Sequence, residues 1–245
     1  PFSMQKPYIK KYGLVSEFTV YIVDGKYIRT NIEEEFTNFG QHYRFRFIPK
    51  NEFWIDKEYG SDRPEVHFYI DHLLKEYHLM EKGYHYNVAL ARADAKEQSE
   101  RRRSLLAKHI HGPKKKLVYK IKIKKYSTIL DVWIVCGELV RDLFYIDFTE
   151  GGHDLVYPFI PRNEIWLDDD IGPEERKFVL LHELRERNVM SHKMKLTKRG
   201  AHSVSNSRVY NLAHAEASEL EYFYRRHPKG IDKALRKELK NCISF

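Results

Sequence analysis

Apolar and polar positions along the chain fall into two successive series that read alike. In the first, Phe18 to Val23 is an apolar run ending on Asp24-Gly25, the pattern of a strand meeting a turn dipeptide. Tyr43 to Ile48 and Glu52 to Ile55 predict two further strands, with Pro49-Lys50-Asn51 turning between them. The second series predicts strands over Leu130 to Val135, Leu139 to Phe148, Asp154 to Ile160 and Glu164 to Leu167. Helices follow in both. Pro64-Glu65 and Pro173-Glu174-Glu175 place proline and acids in a first turn, where the missing N–H costs nothing and negative charge meets the positive end of the helix dipole. Phe178, Leu181, Leu184 and Val189 then form a buried helical stripe. A second helix is predicted from Tyr210 to Arg226, closed by His227-Pro228-Lys229-Gly230, and its counterpart from Tyr86 to Leu106.

The likeness extends to identity. Ile48-Pro49-Lys50-Asn51-Glu52-Phe53-Trp54-Ile55-Asp56 returns as Ile160-Pro161-Arg162-Asn163-Glu164-Ile165-Trp166-Leu167-Asp168. At the same offset Gly25 matches Gly137, Tyr21 matches Trp133 and Gly40 matches Gly152; further on, Tyr86-Asn87-Val88-Ala89 answers Tyr210-Asn211-Leu212-Ala213. Agreement sustained over that length marks a tandem duplication. The second copy carries an insertion around His192 to Arg208. The segment His109 to Lys116, with Gly112-Pro113 and a lysine run, is the natural boundary, giving modules at residues 1–112 and 113–245. Strands followed by helices predict an α+β fold in each module, a small, mainly antiparallel sheet with packed helices.

Bulk properties narrow the classes. The chain has 245 residues, 17 Tyr and 14 Phe, the composition of a folded protein. No apolar run approaches the roughly 20 residues of a membrane span, and Pro1 to Lys11 lacks an apolar h-region, so neither membrane insertion nor a signal peptide is expected. Cys136 and Cys242 make neither a disulfide framework nor a cysteine zinc site, and the compartment leans towards intracellular. A net charge of +8 permits an acidic partner such as nucleic acid. Lys120, Lys122 and Lys124 alternate with Ile121 and Ile123, which on a strand gives either a charged edge or a phosphate-binding ridge.

The second copy holds a distinctive group of residues. In Leu181-His182-Glu183-Leu184-Arg185-Glu186, His182 and Glu186 stand one helical turn apart on one face, with Glu183 beside them, placed to hold a water and take its proton. The later helix, through Ala213-His214-Ala215, can bring His214 to the same point. Two imidazoles, one carboxylate and an open position make the donor set of a catalytic zinc site, although ferrous iron suits the same set. Glu221 follows His214 on the same face about 10 Å along the helix, too far for the same ion, and is expected to support the site or pair with an arginine on the facing helix. Glu216 and Glu219 point away and are expected to be solvated.

This arrangement resembles the zincin metallopeptidases, whose helix carries His-Glu-x-x-His with a third ligand from a later element. It resembles equally the compact metallopeptidase domains of phage and bacterial proteins, which pair a His-Glu-x-x-Glu helix with a later Ala-His helix. The likeness covers Glu164 to Arg226, with Glu186 standing where the zincin pattern has histidine. It implies Zn2+ or another divalent ion on His182, Glu186 and His214, Glu183 as general base, and a peptide or protein substrate.

The first copy tempers the motif. It has His72, Glu76 and Glu97 where the second has His182, Glu186 and Glu221, but Leu73 replaces Glu183 and Leu90 replaces His214. The shared residues are therefore open to a purely structural reading, a polar link between helices. A non-catalytic module binding nucleic acid or an acidic protein through its basic surface, and a duplicated assembly module, stand as alternatives to a metallohydrolase. Asp168-Asp169-Asp170 offers a hard-cation donor set but precedes a helix, the place of a cap. His42, His67, His78, His85, His153, His192 and His202 show no paired spacing.

Overall fold

The computed structural model describes residues 6–60, 64–104, 117–194 and 208–244. The protein is α+β and contains two four-stranded mixed sheets, each followed by helices. Two compact units are present, one of Pro1–Gly112 with Arg141–Asp147, the other of Pro113–Val140 with Phe148–Phe245. The segment His109 to Lys116 and most of the insertion, residues 195–207, lie outside the described residues.

In the first unit β1 (Tyr8–Val15), β2 (Phe18–Val23), β3 (Phe39–Gln41) and β4 (Glu52–Asp56) are ordered β1-β2-β4-β3. The β2–β4 pair is parallel and the two outer pairs are antiparallel. Helices α1 (Gly25–Asn31), α2 (Lys57–Gly60), α3 (Val66–Glu81) and α4 (Tyr86–Arg103) complete it. The second sheet repeats the order with β5 (Tyr119–Lys122), β6 (Asp131–Val135), β7 (Gly151–His153) and β8 (Glu164–Asp168). Its helices are α5 (Gly137–Leu143), α6 (Pro173–Met194), α7 (Arg208–Arg226) and α8 (Ile231–Lys240).

The repeated motif residues explain themselves here. Glu52 accepts from the Tyr8 hydroxyl at 2.8 Å and the Trp54 indole at 2.7 Å. Glu164 does the same with Tyr119 at 2.7 Å and Trp166 at 2.8 Å. Each ring thereby buries its apolar body while its polar edge keeps a partner. Gly25 is needed because the Asp56 carboxylate occupies the space of a side chain: a Cβ there would lie 1.8 Å from Asp56 Oδ2. That close approach lets Asp56 accept from Gly25 N–H at 3.2 Å and pair with buried Arg29 at 2.8 Å.

Three predicted strands are corrected. Leu139 to Phe148 begins as helix α5, because Gly137 opens a turn whose N–H donates to Asp169 Oδ1 at 3.0 Å. Likewise Asp24-Gly25 is no hairpin turn: the Asp24 carboxylate caps α1, accepting from Tyr27 N–H at 3.2 Å. Tyr43 to Ile48 and Asp154 to Ile160 are consecutive turns, closed by Phe45 N to Gln41 O at 2.9 Å and by Tyr157 N to His153 O at 3.0 Å. Phe45, Ile48, Leu155 and Ile160 of these turns are buried, so the hydrophobic signal is real but belongs to compact turns capping the core. The short strands that pair beside these turns are β3 and β7. Among the described residues no helix is long and apolar enough to cross a membrane.

Candidate metal centre

The site is built where α7 crosses α6. Ala213, Ala217, Glu221 and Arg225 recur every fourth residue and so form one stripe of α7. The two alanines are fully buried, and their small size lets the helices approach until polar side chains meet directly. The arginine that pairs with Glu221 is on its own helix, four residues on, and not on the facing one: Arg225 is held at both ends, by Glu175 of α6 at 2.7 Å and Glu221 at 2.9 Å. Glu221 in turn accepts from His182 Nδ1 at 2.9 Å. With Nδ1 engaged, His182 turns Nε2 towards His214 Nδ1 at 3.2 Å and Glu186 Oε2 at 3.7 Å. Glu186 Oε2 lies 2.9 Å from His214 Nδ1. The other carboxylate oxygen of Glu186 accepts from His153 Nε2 at 3.0 Å, and His153 Nδ1 accepts from the Leu155 N–H at 3.2 Å, which fixes the tautomer.

Charge follows these contacts. Burial drives the His182 imidazole down, but hydrogen bonds to Glu186 and Glu221 outweigh it and hold the ring well above the ordinary histidine range. Burial would raise Glu186, yet hydrogen bonds from His153, His182 and His214 keep it ionised far below the usual carboxylate range. Glu221 stays ionised by the same balance, with Arg225 and His182 opposing its burial. Glu183 is the exception. Burial and the neighbouring Glu186 charge push its carboxyl up to about 8, and among the described residues no side chain hydrogen-bonds to it.

The donor atoms fit an ion. Four ligands about 2.1 Å from a tetrahedral centre stand about 3.4 Å from one another. The three edges between His182 Nε2, His214 Nδ1 and Glu186 Oε2 measure 2.9, 3.2 and 3.7 Å, bracketing that value. His214 has 36% of its side chain exposed and gives the group an open side, whereas Glu186 is buried. An oxygen of Glu183 lies within 4.8 Å of ligand atoms of both His153 and Glu186.

The first unit contains the same wiring without the same chemistry. Arg101 joins Glu65 at 2.6 Å to Glu97 at 2.9 Å, Glu97 accepts from His72 Nδ1 at 3.0 Å, and Gln41 donates to Glu76 at 2.7 Å. His72 Nε2 is 3.6 Å from Glu76. Gln41 thus does for Glu76 what His153 does for Glu186. Leu73 and Leu90 leave this copy without counterparts of Glu183 and His214. Burial lowers the His72 imidazole, but the neighbouring Glu76 carboxylate and the hydrogen bond to Glu97 prevail and raise it to about 10. This value lies above that of the unfolded chain. Protonated His72 therefore contributes its full stabilisation below about pH 6.5. The contribution is lost as pH rises through about 10. The stability gap between the wild type and His72→Gln is expected to shrink over that window, and the His72 ring resonances should titrate near its upper end in an NMR titration.

The structure thus brings His182, Glu186, His214 and Glu221 together and places Glu183 beside them. Residues that hydropathy assigned elsewhere complete the cluster. Glu175, expected as a first-turn acid facing the helix dipole, is buried on Arg225. His153 lacked local spacing, although its alignment with Gln41 beside the matched glycines Gly40 and Gly152 singles it out. Glu216 is not simply solvated, since Arg185 holds it at 2.8 Å. The lysine ridge is interrupted: Lys120 pairs with Asp169, Lys122 with Asp131 at 2.7 Å, and Lys124 follows the end of β5 in a turn. Asp168-Asp169-Asp170 is engaged in structure, with Asp169 accepting from Gly137 N–H and Asp168 accepting from Asp170 N–H at 2.9 Å. His192 is exposed, 3.0 Å from Asn241 O, and His202 lies outside the described residues. Comparison of the chain with protein-family models, curated proteins and solved structures finds no match.

Proposed function

We propose that the second repeat is a metal-dependent hydrolase acting on peptide-like bonds, with its centre at His182, Glu186 and His214. The observation that carries this reading is the convergence of three donor atoms within 3.7 Å, each of the two on α6 backed by a further residue: Glu221 behind His182 and His153 behind Glu186. Such backing orients ligands and strengthens their basicity. A divalent ion bound there supplies Lewis acidity and lowers the pKa of water.

The side chains divide the remaining work. Glu186 and Glu221 keep negative charge next to the two imidazoles. Glu183, with a carboxyl that titrates near neutrality, takes a proton from the attacking water and returns it to the leaving group. Its position supports the assignment, because a carboxylate replaces the leucine of the sister unit at a site offering it no hydrogen bond among the described residues.

Elemental analysis tests the reading. Protein purified without chelator and dialysed against metal-free buffer is expected to retain about one equivalent of zinc or another divalent ion. It should hydrolyse a casein or peptide-library substrate in a manner reversed by chelation. Protein that takes up no divalent ion after zinc is added and excess removed would sink the proposal.

A further inference from the structure

We propose that the second unit has a separate binding site, at the edge of its sheet, for a small ligand with an aliphatic body and one anionic head group. A cavity of about 530 Å³ lies there, within the range that small-molecule sites occupy. Its apolar wall includes Ile134 of β6, Leu167 of β8 and Leu180 of α6.

The duplication shows why this space is open. The equivalents of Ile134 and Leu167 in the first unit are Ile22 and Ile55. Those two are covered by α2, whose Gly60 comes so close that a Cβ would stand 2.5 Å from Ile22 and 3.3 Å from Ile55. The second unit has no such helix, because the chain passes from Asp168 at the end of β8 to Pro173 at the start of α6 within a few residues. The covering strand is shorter as well: β1 runs to Val15, whereas β5 stops at Lys122 and the chain turns away. An apolar surface sealed in one copy is therefore left as a cavity in the other.

The charges around it select the ligand. Every charged residue lining the cavity is basic. Lys122 and Lys125 are paired with Asp131 and Asp232, at 2.7 and 3.6 Å. Lys124 is exposed, and among the described residues no acid pairs with it. Arg176 donates from Nη2 to the Asp169 carbonyl at 3.0 Å, but its buried Nε has no hydrogen-bond partner among the described residues. Lys124 and Arg176 thus bring positive charge to the cavity that no acid among the described residues neutralises, which suits one anionic head group. Polyanions fit less well, since the strand lysines Lys120 and Lys122 are already neutralised by Asp169 and Asp131.

Titration calorimetry with decanoate and decyl phosphate tests this, using the full chain below the micellar concentration. One saturable site is expected for at least one of them. Decanol and acetate, lacking head or body, should bind about tenfold or more weakly. Lys124→Gln, an exposed change that leaves the fold intact, and Arg176→Gln should each weaken the anion by about tenfold without altering divalent metal content. Preference between the two probes identifies the head group as carboxylate or phosphate. Decanol binding as tightly as the anions, affinity indifferent to both substitutions, the absence of a saturable site, or tighter binding of a single-stranded oligonucleotide would each overturn the proposal.

Discussion

His214→Leu is expected to lower divalent-metal affinity by more than about 100-fold while leaving the protein folded. Loss of a residue that merely orients a ligand typically costs 10- to 100-fold, and loss of a ligand itself costs more. Leucine is the informative choice because the first unit carries Leu90 at the same place and still packs α3 against α4 around His72, Glu97 and Arg101. The substitution therefore copies a side chain that this helix pair already accommodates. Competition with a chromophoric chelator gives the affinity, and circular dichroism shows that helix content is kept. His72→Ala is the matched control and should leave metal content unchanged, since the first unit has no counterpart of His214 or Glu183. Wild-type affinity in His214→Leu would remove α7 from the centre.

Glu183→Gln should separate binding from chemistry. Glutamine keeps the shape and removes the proton-accepting oxygen, so hydrolysis is expected to fall by about 10²- to 10⁴-fold, the usual contribution of a general base. Metal affinity should change little, because Glu183 is not among the three converging donors. The wild-type activity limb that requires an ionised carboxylate should disappear from the pH profile of the glutamine variant. An unchanged rate in this variant would transfer the base to another group. A loss of metal in parallel with activity would instead make Glu183 a ligand.

Much of the architecture was legible from identity between the copies. The strands β2, β4, β6 and β8 and the long helices α3, α4, α6 and α7 lie where patterning put them, because each buries a continuous apolar or alanine face. Asp24-Gly25 resembles a hairpin turn and Leu139 to Phe148 a strand because a seven-residue helix and a short strand are hard to tell apart by apolar spacing. What decided them was a carboxylate from elsewhere in the chain at each glycine N–H.

For the centre, spacing pointed to His182, Glu186 and His214, since two lie one turn apart and the third stands between Ala213 and Ala215 on the partner helix. The supporting groups were not legible in that way. Arg225 and Glu175 carry no motif and are buried because each neutralises the other across some 50 positions of sequence, a pairing that local spacing does not reveal. His153 sits on a three-residue strand too short to carry any periodicity. Only alignment with Gln41 reveals it, since histidine and glutamine share an N–H that reaches the glutamate of the facing helix.

The ladder of carboxylate, guanidinium, carboxylate and imidazole has one more consequence. In the first unit it stands complete with no third donor, so the clasp between the two helices is self-sufficient. Very small zinc domains are the opposite case, where the ion replaces the core and chelation unfolds the chain. Here the ion would be a passenger on a finished scaffold, exchangeable without unfolding. Occupancy of the second unit would then track the free metal around it, and the protein could be emptied and refilled through many cycles during one folded lifetime.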